Sequence, residues 1–228
     1  MGKPGSGKTA QVSTLCLNVG CGLSTGPSWL NIDASPSLRL RSVPLLGSLL
    51  SARGVIPDWP SNVTHGNITR GLRIARGSCE LVFASHVFEH LPLADFDLAL
   101  ANIKSYLKQG AVMRLIMPDL YQLADSYLRG YRTDDSIAAA KAAPWFNRHS
   151  GLGAPGSRKG ISDRLKEAAS NARHQWLWDR KSIHHKLLEF GFSDITFRGY
   201  GEWSDERFAE VEDLERHSLS FCLECAKS

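Results

Sequence analysis

The segment Ser85-His86-Val87-Phe88-Glu89-His90-Leu91 places two imidazoles and a carboxylate within five positions. Histidine has the side chain whose ordinary pKa lies nearest neutral pH, so it suits proton transfer to or from a substrate. A helix beginning near Val87 would put His86 at its mouth, facing an incoming substrate. Glu89 and His90 have a structural alternative, as a carboxylate favoured by the helix dipole and a histidine bonded to a backbone carbonyl. No metal is assigned to them. Asp119 closes the run Arg114-Leu115-Ile116-Met117-Pro118 and is a further candidate for substrate contact. Its alternative is to cap the helix that follows. His86, His90 and Asp119 are therefore the candidates for catalysis.

A second pattern concerns a cofactor. Gly20-Cys21-Gly22 follows the apolar run Leu15–Val19, and Asp33 ends the short run Trp29–Asp33. Glycines at a strand end let a ligand approach the backbone, and a carboxylate after the second strand accepts hydrogen bonds from ribose hydroxyls. The spacing is not that of a dinucleotide fingerprint, since Asp33 comes only eleven residues after Gly22. A third pattern, Gly2 to Thr9, reads G-x-x-x-x-G-K-T and resembles a phosphate-binding P-loop. Such a loop needs a buried strand before it, and only Met1 precedes Gly2. Residues 1–14 are expected to be a flexible tail.

These groups need a scaffold, and the hydrophobic pattern supplies an α/β one. Strands are expected at Leu15–Val19, Trp29–Asp33, Ser61–His65, Glu80–Ser85, Ala111–Met117, Ile195–Phe197 and Leu219–Ala226. Leu93 to Lys108 reads as a helix stopped by Gln109-Gly110, and Leu120–Leu128 and Ser182–Phe190 read as two more. From Arg129 to Lys186 the chain carries twelve Lys/Arg against five Asp/Glu, a balance of +7 in a chain whose total is +4. That stretch, which also holds His174-Gln175-Trp176-Leu177-Trp178, reads as a basic insertion. Core packing is the default role of its tryptophans.

The chain has 228 residues and 43% apolar content, enough for one globular domain. No run reaches the 18 or so apolar residues of a membrane span, and no apolar signal region opens the sequence. Five scattered cysteines suggest reduced thiols and a cytoplasmic setting. Cys222-x-x-Cys225 lies in a run that alternates like a strand, which suits neither a zinc half-site nor a redox motif. The mild net charge does not favour nucleic acid as a partner.

Taken together, LNVGCGLSTGPSWLNIDAS, HGNITRGL, ELVFASHVFEHL and LKQGAVMRLIMPDL resemble the class I S-adenosylmethionine-dependent methyltransferases. They look most like a bacterial branch carrying LNLGCG…GWxNxD, SHVLEHL and LKPGGxLRxxxPDL. The tail WLWDRKSIHHKLLEFGFSDITFRGYG also looks like that branch's closing segment. The resemblance runs from about Leu15 to the C-terminus and is weakest between Arg129 and Arg173.

It implies a Rossmann-like, seven-stranded, mostly parallel sheet with its last strand antiparallel and helices on both faces. Residues 15–228 would form the methyltransferase domain; within it 129–180 is a basic insertion or, on its charge and aromatics, a substrate lid. Gly20, Cys21 and Gly22 would line the methionine part of S-adenosyl-L-methionine, and Asp33 would bind its ribose. Asn67 and Ile68 would lie beside the adenine. Ser85 and His86 would face the sulfonium and the substrate. The acceptor implied is a small molecule, glycan or nucleotide-sugar, anionic if the basic insertion meets it. Asn18 stands where many such enzymes have an acidic residue. The stretch from Gly22 to Asp33 is too short for a crossover helix, so a turn must replace it. The alternatives to enzymatic methyl transfer are a P-loop nucleotide-binding protein and a non-catalytic domain of the same fold.

Overall fold

The structure is a computed structural model and describes residues 15–153, 173–213 and 218–228. The Gly2–Thr9 pattern and most of the glycine-rich part of the insertion lie outside these residues.

Seven strands form one sheet: β1 (Leu15–Val19), β2 (Trp29–Asp33), β3 (Val63–His65), β4 (Cys79–Ser85), β5 (Leu107–Pro118), β6 (Phe192–Arg198) and β7 (Ser220–Lys227). Their order is β3-β2-β1-β4-β5-β7-β6. The pairs β2–β3, β1–β2, β1–β4 and β4–β5 are parallel, whereas β7 runs antiparallel to both β5 and β6. The strand order reverses between β1 and β4, and open sheets of this kind bind ligands beyond the carboxyl ends at such a switch point. The expected seven-stranded Rossmann-like sheet is the one observed.

Alternation along the strands divides the core in two. Leu17, Val19, Val82, Ala84, Met113 and Leu115 face the larger cluster. Cys16, Leu81, Phe83, Ile116 and Cys222 face the other, with Trp29, Phe208 and Val211 packed on them. Helix α3 (Leu93–Tyr106) covers the first face. It presents Phe96, Ala99, Leu100 and Ile103, spaced for one side of a helix and fully buried. Each large apolar side chain so buried contributes about 1.5–3 kcal/mol. The expected stop at Gln109-Gly110 is not where α3 ends. The helix gives way at Leu107, and both residues lie inside β5, whose hydrogen bonding to β4 begins at Leu107.

Among the described residues the other helices are α1 (Pro36–Arg41), α2 (Leu46–Ala52), α4 (Leu120–Tyr131), α5 (Ser136–Ala140), α6 (Ala142–His149) and α7 (Arg180–Glu189). Helix α7 adds Ile183 and Leu187 to the first core face. The tryptophans of the insertion divide. Trp178 packs on Phe96 at 5.0 Å between ring centroids and joins the core, while Trp176 is partly exposed.

Arg114, fully buried on β5, ties three distant segments together. Its Nε and Nη2 donate to Glu212, and its Nη1 donates to Glu224 on β7 at 2.8 Å and to the Glu202 carbonyl. Cys222 and Cys225 point into opposite core faces, so they cannot ligate together. All five cysteines are free and buried.

Candidate active site

Two buried asparagines do the work that a crossover helix would do between β1 and β2. Asn18 Nδ2 donates to the Ser24 carbonyl and to Asn31 Oδ1, both at 3.0 Å. Asn31 Nδ2 donates to the carbonyls of Gly26 and Trp29. Buried amides are expensive to leave unpaired, so this closed set locks the short loop in place. The departure at Asn18 thus has a structural purpose.

That loop presents the glycines. Gly20 and Gly22 both have positive φ, 62° and 53°. A Cβ at Gly20 would come within 2.4 Å of Val87, whereas one at Gly22 would meet nothing within 4 Å. Gly22 therefore leaves open space beside its backbone for a ligand. Asp33, only 7% exposed, stands across from it. Its Oδ2 accepts from the Gly22 N–H at 3.0 Å and its Oδ1 from the Ser35 N–H at 2.7 Å. Both carboxylate oxygens are aimed by backbone donors and keep lone pairs for further hydrogen bonds.

Other expected cofactor groups are placed more indirectly. Cys21 is buried, and burial pushes its thiol up to about 12, which leaves it a packing group rather than a nucleophile. Asn67 begins a short 3₁₀ turn, and its Oδ1 accepts from the Thr69 N–H and hydroxyl. Ile68 belongs to the main core, so it forms wall rather than polar contact. Ser85 ends β4 and is half-buried.

Beyond β4 there is no helix at Val87. His86 instead takes a left-handed φ of 54°, and Phe88–His90 forms a 3₁₀ turn. A positive φ in a non-glycine residue costs energy and recurs at functional sites. The His86 N–H donates to the Ile116 carbonyl of β5, and its Nδ1 meets Glu89 Oε1 at 3.0 Å. Glu89 is 1% exposed.

The returning end of the insertion crosses this turn. The N–H groups of Gln175 and Trp176 donate to the Glu89 carbonyl, and the Leu120 N–H donates to the Trp178 carbonyl. His174 is thereby brought to Glu89, with Nε2 at 3.9 Å from Oε1, and its ring lies 4.9 Å from that of His90. Burial lowers the pKa of His174, against the pull of Glu89. No metal was expected here, yet one potential ligand atom from each of Glu89, His90 and His174 lies within 4.8 Å of the others. Sequence separation hid His174, since nothing near it points to residue 89.

Asp119 caps α4, its Oδ1 accepting from the Tyr121 N–H, while Gln122 and Arg180 approach Oδ2. It also lines an open cavity of about 640 Å³ with Tyr121, Gln122, Asp179, Arg180 and Lys181. The capping alternative is realised, and the position at the end of β5 still borders open space.

Residues 17–115 match the family of methyltransferase domains. S-adenosylmethionine is the cofactor of such a domain, and the open space at Gly22 beside the aimed Asp33 carboxylate fits it. No curated protein matches the chain. Among solved structures, it is similar to an S-adenosylmethionine-dependent methyltransferase from Archaeoglobus fulgidus, at 13% identity over 94% of this chain and 86% of that one, with a TM-score of 0.48. The YcgJ protein of Bacillus subtilis is likewise similar, at 13% identity over 93% and 89%, with a TM-score of 0.43. Phosphoethanolamine N-methyltransferase 2 of Haemonchus contortus gives 12% identity and a TM-score of 0.42, the chain spanning 48% of its length. No helix among the described residues is long and apolar enough to cross a membrane.

Proposed function

We propose that this chain transfers a methyl group to a hydroxyl of a small molecule or glycan, with His86 as the base. The observation that carries the reading is the His86–Glu89 pair at the end of β4. Donation from Nδ1–H to a buried carboxylate selects the tautomer whose Nε2 is basic, as in other base–orienter pairs. When bound, S-adenosylmethionine supplies a methyl carbon activated by positive sulfur. Held by Gly20, Gly22 and Asp33, it would present that carbon to the acceptor hydroxyl. His86 takes the hydroxyl proton at Nε2. The other residues supply orientation, which for such a displacement is most of the catalysis.

Gly20 and Gly22 would hold the methionine part, Asp33 the ribose and Asn67 the adenine edge. Ser85 would face the sulfonium. The described parts of the insertion, 129–153 and 173–180, would border the acceptor as parts of a lid. In support, the Gln175–Trp178 stretch bonds to the turn after β4 and to the start of α4. The acceptor would carry an anionic group, on the basic balance of the insertion, twelve Lys/Arg against five Asp/Glu; in the 640 Å³ cavity itself Arg180 and Lys181 are offset by Asp119 and Asp179.

The test uses methyl-labelled S-adenosylmethionine with panels of hydroxyl and amine acceptors, including sugar phosphates and nucleotide-sugars. Labelled ether products would support the reading. Exclusive labelling of amines, or a thermal response to ATP but none to S-adenosylmethionine, would refute it.

A further inference from the structure

Glu89 raises a question that base orientation does not answer. One of its oxygens, Oε1, meets His86, but Oε2 is buried and has no hydrogen-bond partner among the described residues. A buried carboxylate oxygen without a donor costs free energy, and such groups ordinarily have a partner or hold a cation.

The neighbouring histidines are set up as ligands. His174 Nδ1 lies 2.8 Å from the Ser150 carbonyl, and His90 Nδ1 lies 3.2 Å from the Arg173 carbonyl. A carbonyl can only accept, so each Nδ1 carries the proton and each Nε2 keeps its lone pair. Pinning one ring nitrogen to a backbone carbonyl is how metal-binding histidines are oriented. Neither Nε2 lone pair can repair Glu89 Oε2, because neither offers a hydrogen. A cation would satisfy all three groups at once.

We propose that Glu89, His90 and His174 bind a divalent transition metal of the zinc class. Two imidazoles and one carboxylate are a donor set that suits zinc, and three protein ligands leave a coordination position open to solvent or an oxygen ligand. The ligand atoms, within 4.8 Å of one another, are close enough to converge on one ion with small side-chain movement. Two of them sit on the turn after β4, and the third comes from the far end of the insertion. The ion would therefore clamp the insertion to the turn beyond the carboxyl end of β4. This site goes beyond the methyl-transfer reading and does not depend on it, since metal binding needs neither cofactor nor acceptor.

The experiment takes the full chain, strips it with a chelator and titrates it with Zn²⁺ by calorimetry and with Co²⁺ by absorption. One equivalent should bind, giving visible d–d bands without the intense near-ultraviolet band of a cobalt–thiolate bond. His174→Ala and His90→Ala, each at a partly exposed position, should weaken binding at least 100-fold while circular dichroism stays unchanged. Glu89→Gln is a third variant, and if it does not fold the two histidine variants decide. Failure of the wild-type chain to bind either ion at micromolar concentration would overturn the site. So would a thiolate band, or undiminished affinity in His174→Ala. A thermal shift with S-adenosylmethionine, run on the same samples, tests the methyltransferase reading separately.

Discussion

At the β1–β2 end of the sheet, the groups that meet are close in sequence. Asn18 reaches Asn31 over 13 residues, and Gly22 reaches Asp33 over 11. At the β4–β5 end they are distant, with His90 bonded to Arg173 over 83 residues and to Gln175 over 85. The first region is a set of short loops held by buried amides and backbone N–H groups. The second is a turn that becomes a site only when the insertion returns across it. Short-range sites form with the local chain, whereas long-range ones require loop closure first. The β1–β2 region, the proposed cofactor side, is accordingly expected to tolerate changes in the insertion, and the turn after β4, the proposed acceptor side, is not.

That contrast can be broken in four places. The largest effect is expected for Asp33→Ala. At about 100 times its Kd, S-adenosylmethionine should stabilise the native chain by roughly 2.7 kcal/mol. The variant should lose that response and all detectable turnover, because the proposed ribose contact and the observed anchor of Gly22 go together. A normal response would remove Asp33 from the site.

His86→Ala comes next, with kcat lowered about 10²–10⁴-fold. Its thermal response to the cofactor should match the native one. Loss of both would mean that the two ends are not separable.

Asn31→Ala follows. It strips a partner from Asn18 on β1 and from the Gly26 N–H in the β1–β2 loop. Each orphaned buried group costs about 1–3 kcal/mol. Denaturant unfolding should show a loss on the order of 3 kcal/mol, and cofactor affinity should fall with it.

The smallest effect concerns a surface bridge. Hydrogen bonds from Arg207 hold the Asp205 carboxyl below the usual carboxylate range. A carboxyl depressed in the folded state adds stability above its unfolded pKa and loses it as pH falls through the folded value. Asp205→Asn should flatten the acid limb of the stability curve below about pH 4. The change should be under about 1 kcal/mol, as for other exposed pairs. No flattening would show that Arg207 acts only through packing.

Legibility followed the same divide. The strands β1 and β2 stand at the residues their apolar runs indicate, and the substitution of a turn for the first crossover helix follows from counting residues between Gly22 and Asp33. The end of α3 was misplaced because Gln109-Gly110 looks like a helix stop, whereas β4 pairing draws Leu107 into a strand. The 3₁₀ turn at Phe88–His90 was also hidden. A helix start and a single turn share the same sequence cues, and the Ile116 carbonyl that captures the His86 N–H lies thirty residues away.

By itself, the sequence determined where β1 and β2 lie and that a short turn joins them, because apolar runs and loop length are local properties of the chain. Only the tertiary structure decided that His174 meets Glu89, that Arg114 gathers Glu212 and Glu224, and that Cys222 and Cys225 face apart. Those outcomes depend on which segments pack together across the core, and no local pattern carries that information.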